Sequence, residues 1–211
     1  MTASGAHYSA RVDLDWVLFD ADGVIQGTRN GWLEELTAAG GDRGEEFVLA
    51  VFAAEMACVT GQDFQAAMEQ VLRDFEVDLP LTEVIDPAYW IEVDPMMVGA
   101  VRGLRDLGVR TGLATNQQNL RGTYMRGSLG FCEVFDEQFY SWELGVAKPE
   151  PDYFRAILDR IDVVGARVLF LDDRAENVTG ARTAGLRAEL FPSDGGIDAL
   201  RPILNRHGLA P

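Results

Sequence analysis

The sequence contains few of the side chains on which the commonest catalytic sites depend. Of its 18 lysines and arginines only Lys148 is a lysine, and its two histidines, His7 and His207, lie in the terminal segments. A Ser-His-Asp triad, a histidine nucleophile and a His-ligated zinc site therefore lack their parts. Walker, GxGxxG and GxSxG glycine motifs are absent as well. Any acid–base chemistry must use carboxylates.

Cysteines and long apolar runs are also scarce. Cys58 and Cys132 are too few for a disulfide scaffold, and we expect both to be small buried hydrophobic residues. No apolar run approaches the roughly 20 residues of a membrane span, and the initial stretch MTASGAHYSARVDLD has no apolar segment of a secretory signal. We therefore expect a cytoplasmic protein that has no membrane partner.

Positive charge is the third scarcity, because the formal net charge is −16. This charge repels nucleic acid phosphates and anionic membrane surfaces, and no basic stripe offsets it. We therefore expect no nucleic acid partner. A chain of 211 residues with 47% apolar residues is nevertheless long enough to bury a core. Its size fits one large domain or one domain with a smaller insert.

Short apolar runs alternate with helical patterns along most of the chain. The runs that read as strands are WVLF (16–19), RTGLAT (110–115), EQFYSW (137–142), VLFLDD (168–173) and AELF (188–191). The helical patterns cover 96–107, 151–161 and 177–184. This alternation predicts an α/β fold, a doubly wound parallel sheet covered on both faces. Ligands of such sheets bind at the carboxyl ends of the strands.

One segment does not follow the alternation. From about Gln26 to Pro95 no strand is apparent, whereas Glu45 to Val59 and Phe64 to Phe75 have helical patterns. We therefore expect an all-helical insert at 26–95, and a core built from 1–25 and 96–211. The insert holds 15 acidic residues against three arginines, which indicates a solvated acidic surface.

Two acidic clusters follow predicted strands. Asp20 and Asp22 stand two apart, so both carboxylates can face one ligand, and Gly23 permits a sharp change of direction. In the second cluster Asp172 and Asp173 end a buried strand. Repulsion between such carboxylates is relieved by a cation, and Mg²⁺ prefers these hard oxygen ligands. The alternatives are an ordinary polar turn for the first cluster and a helix N-cap for one acid of the second.

Two further groups could neutralise or hold an anion. Thr115 and Asn116 end a predicted strand, where a hydroxyl and the first amides of the next helix could bind anion oxygens. Both residue types are also ordinary N-caps. Lys148 is a compact ammonium that suits a point contact to carboxylate and phosphoryl oxygens, and Pro149 stiffens the backbone beyond it. The alternative is a chance surface lysine.

Four motifs follow one another in the sequence: DADGV, AT before a helix, the lysine of KPEPDYF, and DDRAEN. With these motifs in this order, the chain resembles the haloacid dehalogenase superfamily from about Asp15 to Leu190. KPEPDYF and FLDDRAENVTGARTAG look most like its small-metabolite phosphatases, which include sugar phosphatases. The resemblance implies that the insert is the family's helical cap. It also implies a small phosphorylated metabolite as partner, with a sugar or polyol phosphate as the first guess. We expect a monomer or a homodimer.

The resemblance also assigns roles. Asp20 would be the nucleophile that forms an aspartyl-phosphate, and Asp22 the acid that protonates the leaving alkoxide and the base that then activates water. Thr115 and Lys148 would hold the transferring phosphoryl group, and Lys148 would also orient Asp20. Such a division suits phosphoryl transfer, which depends mostly on alignment and charge neutralisation.

For the metal, the resemblance implies Mg²⁺ bound by Asp20, the main-chain carbonyl of Asp22, and Asp173. Asp172 and Asn177 would support this site. Dehalogenases of the superfamily lack an acid two residues after the nucleophile, so Asp22 favours phosphate chemistry. Phosphonate hydrolases need a cap lysine, and residues 26–95 contain none.

Two alternative functions stay open, a phosphomutase on the same core and a catalytically silent module that binds a phospho-ligand or a protein. Near the hinges of the insert, Arg29, Trp32, Tyr89 and Trp90 could contact a leaving group, although such aromatic residues more often pack within a cap.

Overall fold

A computed structural model describes residues 13–193 and 195–209. The strands are β1 (Trp16–Phe19), β2 (Gln26–Thr28), β3 (Ile91–Val93), β4 (Arg110–Thr115), β5 (Glu137–Tyr140), β6 (Val168–Asp172) and β7 (Arg187–Leu190). The helices are α1 (Trp32–Ala39), α2 (Gly44–Cys58), α3 (Phe64–Asp74), α4 (Leu81–Ile85), α5 (Pro95–Asp106), α6 (Asn119–Gly127), α7 (Phe131–Val134), α8 (Ser141–Leu144), α9 (Pro151–Ile161), α10 (Ala175–Thr183) and α11 (Gly196–Arg206). Short 3₁₀ turns span Gly41–Arg43, Asp86–Tyr89 and Gly165–Arg167.

Five strands form one parallel sheet in the order β5-β4-β1-β6-β7. This topology confirms the predicted doubly wound α/β fold. Phe19 is paired with Leu113 of β4 and with Leu171 of β6. The carboxyl ends of neighbouring parallel strands lie at the same edge of the sheet. This register therefore places Asp20, the residue after β1, next to the carboxyl ends of β4 and β6.

Both faces of the sheet are buried, which explains why its strands are nearly continuous apolar runs. Val17 and Phe19 point to the face covered by α5, α7 and α11, where they join one buried cluster. Trp16 and Leu18 point to the opposite face, where α9 and α10 supply a second cluster that includes Phe154. Successive residues of a strand point to opposite faces, so one apolar run serves two layers.

Residues 26–95, which we call the cap, are mainly helical and have a hydrophobic cluster of their own. Leu36, Phe47, Phe64 and Met68 are buried in this cluster. Leu120, from α6 of the sheet layer, packs against it. The cap therefore rests on the start of α6, close to the carboxyl edge of the sheet.

The expectation that the segment between Gln26 and Pro95 contains no strand is wrong. β2 and β3 form a two-stranded antiparallel ribbon in which Gln26 is paired with Val93. The ribbon joins the two ends of the cap where they meet the sheet layer. Each strand has only three residues, which is too short for a period-two pattern to be visible in the sequence.

Other boundaries differ less. The predicted strand 137–142 ends at Tyr140, because the chain turns into α8 at Ser141.

Cys58 is buried as expected, but Cys132 is exposed, so the expectation of a second buried thiol is wrong. His207 approaches Glu189 at 3.0 Å, and His7 lies outside the described residues. None of the helices within 13–193 and 195–209 is long and apolar enough to cross a membrane.

Candidate active site

Lys148 and Asp20 form a buried ion pair at the carboxyl edge of the sheet. The Lys148 Nζ lies 2.7 Å from Asp20 Oδ1 and 2.7 Å from Asp172 Oδ2. The three residues are 5%, 7% and 0% exposed, so a single ammonium bridges two carboxylates in a largely dry environment. The lone lysine of the chain is therefore not a surface residue.

The Asp172 carboxylate is occupied by donors from its own surroundings. Besides Lys148, it accepts hydrogen bonds from the Arg174 amide at 2.8 Å and from Asn177 Nδ2 at 3.0 Å to each oxygen. A carboxylate has about four lone-pair positions, and these bonds use them. Asp172 thus fixes Lys148 and α10, and the predicted support from Asn177 has a structural basis.

Asp173 also lies at the carboxyl edge of the sheet, and its carboxylate is less occupied by hydrogen-bond donors than that of Asp172. Its side chain is half-buried and accepts a hydrogen bond from the Ser193 hydroxyl at 3.0 Å. Asp20, Asp172 and Asp173 each offer a carboxylate oxygen, and these oxygens lie within 4.8 Å of one another. An oxygen cluster of this kind matches the ligands that Mg²⁺ prefers.

Gly23 allows Asp173 to approach the loop after β1. Its φ is +78°, a conformation that other residues rarely adopt, and a Cβ at this position would lie 2.4 Å from Asp173 Oδ2. A side chain here would thus both strain the backbone and displace a carboxylate of the cluster. Glycine is therefore the residue that fits at position 23.

The charge balance of the cluster calls for a further cation. Burial raises the pKa of Asp20, the nearby Lys148 lowers it and the neighbouring Asp172 raises it, with a net value of about 7. Lys148 therefore does not fully offset the effects of burial and of the Asp172 charge on Asp20. A divalent cation beside Asp20 would lower this pKa and keep the carboxylate ionised.

A close contact between backbone segments holds Lys148 in place. Asn116 Nδ2 donates to the Lys148 carbonyl at 2.8 Å, and the Lys148 amide donates to Asn116 Oδ1 at 2.9 Å. On the other side, a Cβ on Gly180 would lie 1.9 Å from the Pro149 carbonyl oxygen. The absence of a side chain at Gly180 therefore lets α10 pack directly against the lysine loop.

The surroundings of Thr115 differ from the expectation in one respect. Thr115 is buried at the end of β4, and its hydroxyl accepts a hydrogen bond from Gln117 Nε2 at 3.2 Å. However, the next helix begins only at Asn119, and its first amides donate to the Gln118 side chain. The expectation that these helix amides directly follow Asn116 and face an anion is wrong.

Asp22 faces away from the carboxylate cluster and toward the cap. The Nη1 and Nη2 atoms of Arg121 lie 2.7 and 2.8 Å from the two carboxylate oxygens of Asp22, which is a bidentate pair. Gln117 and Gln26 donate to the same carboxylate at 2.7 and 3.0 Å. Arg121 Nε also donates to the carbonyl of Ala88 at 2.9 Å, which connects this pair to the cap.

These contacts keep Asp22 ionised. Burial by itself raises the pKa of Asp22, but the charge and hydrogen bonds of Arg121 outweigh it and lower the pKa to about 2. In this arrangement Asp22 accepts hydrogen bonds and has no proton to donate. A proton-donating role requires the carboxylate to leave Arg121.

Sequence motifs did not reveal Arg121, Gln117 or the cap residue Glu55. Glu55, Arg121 and Asp22 line the same cavity. Burial raises the pKa of Glu55, Arg121 lowers it and Asp22 raises it. Glu55 and Arg121 are 66 positions apart and belong to no short motif. In the sequence, Arg121 could have been identified as a site residue only by its position on the apolar, buried face of α6.

Of the four cap residues that could contact a leaving group, Trp32 lines a cavity beside Asp22. Arg29 stacks on the Trp90 ring at 3.9 Å, and Trp90 also donates to Asp86. Tyr89 packs against Tyr124 with a ring separation of 4.9 Å. These three residues therefore have packing partners at the hinge.

Comparison with known proteins gives a family match. A family model described as haloacid dehalogenase-like hydrolase matches residues 14–185, which include all the site residues considered above. Among solved structures, an HAD family enzyme from Bacteroides thetaiotaomicron, determined in complex with magnesium and inorganic phosphate, has a similar fold. Its TM-score is 0.75 at 16% sequence identity, and the match covers 86% of this chain and 96% of that protein.

Two curated relatives are phosphatases. Phosphoglycolate phosphatase of Cereibacter sphaeroides is 33% identical over 124 residues, which is 59% of this chain and 56% of that protein. Sesquiterpene phosphatase astK of Aspergillus oryzae is 30% identical over 93 residues, which is 44% of this chain and 47% of that protein. The matched segments thus span about half the length of each relative.

Proposed function

Since the chain belongs to the haloacid dehalogenase-like hydrolase family, we propose that it is a magnesium-dependent phosphatase of a small phosphorylated metabolite, with Asp20 as nucleophile. The observation that carries this proposal is the buried Asp20, which is held 2.7 Å from Lys148 while Asp173 lies close by. The proposal includes the division of the chain into a catalytic unit, 1–25 and 96–211, and the cap at 26–95.

In the first step, an Asp20 carboxylate oxygen attacks phosphorus and the bond from phosphorus to the leaving oxygen breaks. Asp22 gives a proton to that oxygen, so an alcohol leaves and an aspartyl-phosphate remains on Asp20. In the second step, water attacks the same phosphorus and Asp22 accepts its proton. Inorganic phosphate leaves, and Asp20 is restored as a carboxylate.

Lys148 and Thr115 stabilise the transferring group. The Lys148 ammonium already contacts Asp20 Oδ1, so it can orient the nucleophile and neutralise charge on a phosphoryl oxygen. The Thr115 hydroxyl lies at the same edge of the sheet. Asn116 acts mainly by positioning Lys148, because the Asn116 side chain binds the backbone of Lys148.

The carboxylates at this edge fit a magnesium ion. Asp20 and Asp173 would hold it together with the main-chain carbonyl of Asp22, whereas Asp172 supports the site through Lys148 and Asn177. When bound, Mg²⁺ supplies positive charge that reduces repulsion between the nucleophile and the phosphate. A protein of the same fold has been determined with magnesium and inorganic phosphate, so these are the first ligands to test.

Asp22 must change partners during the cycle. Its ionised state suits the second step, in which it accepts a proton from water. For the first step the carboxylate has to separate from Arg121 and gain a proton. Because Arg121 also bonds to the Ala88 carbonyl of the cap, a movement of the cap is the natural cause of this separation.

The names of the relatives support a phosphatase and leave the leaving group open. One is named for phosphoglycolate, a small polar ester, and the other for a sesquiterpene, an apolar group. The sugar or polyol phosphate suggested by the family resemblance stays a prediction, and a substrate panel can test all three classes.

The test is release of inorganic phosphate from a panel of small phosphomonoesters, with magnesium and with EDTA. We expect release that requires magnesium, is restored when magnesium is returned, and is lost in Asp20→Asn. Release by Asp20→Asn at the wild-type rate would exclude Asp20 as nucleophile. If no ester is hydrolysed, transfer between two hydroxyls of a sugar phosphate, followed by NMR, tests a mutase. Binding without turnover would indicate a silent module.

A further inference from the structure

A cavity of about 190 Å³ lies between the cap and the carboxyl edge of the sheet, with Asp22 in its wall. Most of its lining is apolar and comes from α1 to α4 of the cap. The apolar side chains of this lining include Trp32, Leu36, Phe52, Phe64, Met68 and Val84. Apolar cavities of about 150 Å³ are known to bind small hydrocarbons. The volume is therefore sufficient for part of an organic ligand.

The polar groups of the cavity gather at one end. Asp22 and Arg121 form their bidentate pair there, and Glu55 lines the same cavity. Because Asp22 follows Asp20 by only two residues, their Cα atoms are at most about 7 Å apart, so this polar end is next to the loop that holds the proposed nucleophile. The cavity thus runs from Asp22 into an apolar region of the cap.

We propose that this cavity binds the leaving group of the substrate, and that this leaving group is an apolar alkyl or alkenyl chain. The inference rests on the proposed function, because it takes Asp22 as the residue that faces the departing oxygen. The ester oxygen would lie at the polar end, and the hydrocarbon chain would extend between the cap helices.

The lining disfavours a sugar or polyol. Each hydroxyl of such a group needs a hydrogen-bond partner when it leaves water, and an unpaired one costs free energy. Among the described residues that line the cavity, the polar side-chain groups besides Asp22, Arg121 and Glu55 are the Thr28 hydroxyl and the indole N–H of Trp32. Since Asp22 and Arg121 already bind one another, few partners remain for several hydroxyl groups.

The outer surface of α2 indicates that the chain can be longer than the cavity. Leu49, Phe52 and Met56 are 68%, 37% and 68% exposed, and their spacing places them along one face of the helix. Phe52 also lines the cavity. An apolar surface therefore continues from the cavity to the outside, where further methylene groups can pack.

The test compares esters that differ only in the leaving group. Methyl, butyl, hexyl and octyl phosphate form the apolar series, and glycerol 3-phosphate and glucose 6-phosphate are the polar comparison. We expect kcat/KM to rise about fourfold for each methylene that enters the cavity. We also expect octyl phosphate to exceed both polar esters.

A pair of variants locates the effect. Phe52→Ser removes an apolar wall at a partly exposed position, and it should lower the ratio of kcat/KM for octyl over methyl phosphate about tenfold. Leu107→Ser is the control, because Leu107 is 46% exposed and lies after α5, outside the cap. It should leave the ratio unchanged.

The outcomes separate this inference from the proposed function. Phosphate release that is independent of chain length, or that favours the polar esters, overturns the inference while the phosphatase stands. If no ester is hydrolysed, the proposed function fails, and calorimetry on the wild-type protein with magnesium decides the inference. Octyl phosphate must then bind more tightly than glucose 6-phosphate, and Phe52→Ser must reduce the difference. Equal binding overturns the inference.

Discussion

Replacing the nucleophile should make the metal-free protein more stable. The pKa of Asp20 is raised from its ordinary 3.8 to about 7, mainly by burial. Between these pH values the folded protein keeps a proton that the unfolded chain has lost, so stability falls as the pH rises through this window. Asparagine resembles the neutral carboxyl group and does not ionise, so Asp20→Asn avoids this loss.

The magnitude follows from the pKa. A tenfold change in an ionisation constant corresponds to about 1.4 kcal/mol, so ionised Asp20 costs the metal-free fold about 4 kcal/mol above pH 7. Asp20→Asn should therefore be more stable than the wild type by up to about 4 kcal/mol at pH 8, and the difference should approach zero near pH 4.

Urea unfolding in EDTA at pH 4, 6 and 8 measures this difference. Asp106→Asn, a carboxylate on the exposed side of α5, is the control and should change stability by less than about 0.5 kcal/mol. Magnesium at 100 times its Kd should then stabilise the wild type by about 2.7 kcal/mol and Asp20→Asn by less. A variant that is less stable than the wild type at pH 8, or a difference independent of pH, would refute the reasoning.

Three further substitutions test other parts of the site. Lys148→Arg should keep the fold but lose most of kcat, because a planar guanidinium cannot replace the point contact to Asp20; a nearly wild-type kcat would contradict this. Gly23→Ala should cost about 1–3 kcal/mol in urea unfolding and raise the magnesium concentration for half-maximal activity, since a Cβ would meet Asp173; an unchanged magnesium dependence would count against the metal site. Arg121→Met should raise the pKa of Asp22 above 2, measured by carboxyl ¹³C NMR, and an unchanged pKa would show that Arg121 does not control this carboxylate.

Much of the sheet layer could be predicted from the sequence because its signals are local. The apolar runs before Asp20 and after Val109 correspond to β1 and β4, and the helix predicted at 151–161 begins and ends where α9 does. Buried parallel strands need apolar residues on both faces, so they are visible as continuous runs.

The ribbon of β2 and β3 could not be predicted in this way. Its strands are short, and Gln26 and Val93 are paired across 67 positions of the chain. The ribbon forms only where the chain closes the two ends of the cap. Local patterns contain no information on that closure.

The candidate site was predictable at the strand ends and not beyond them. Asp20, Lys148 and Asp172 meet because three parallel connections bring their loops to one edge. The orientation of Asp22 depends instead on Arg121, an arginine on a helix 99 positions away that resembles any other surface cation in the sequence. The spacing of two residues after Asp20 allowed both carboxylates to face one ligand, but Arg121 turns the second toward the cap.

The most direct test of the central claim is to find the phosphoryl group on Asp20. Asp22→Asn, which cannot activate water, should be mixed with magnesium and a phosphomonoester that has a good leaving group, then quenched in acid and mapped by peptide mass spectrometry. We predict a phosphate adduct on the peptide that contains Asp20, and no adduct when Asp20→Asn is combined with it. Release of phosphate by the wild type without any adduct at Asp20, or an adduct on another residue, would contradict the mechanism.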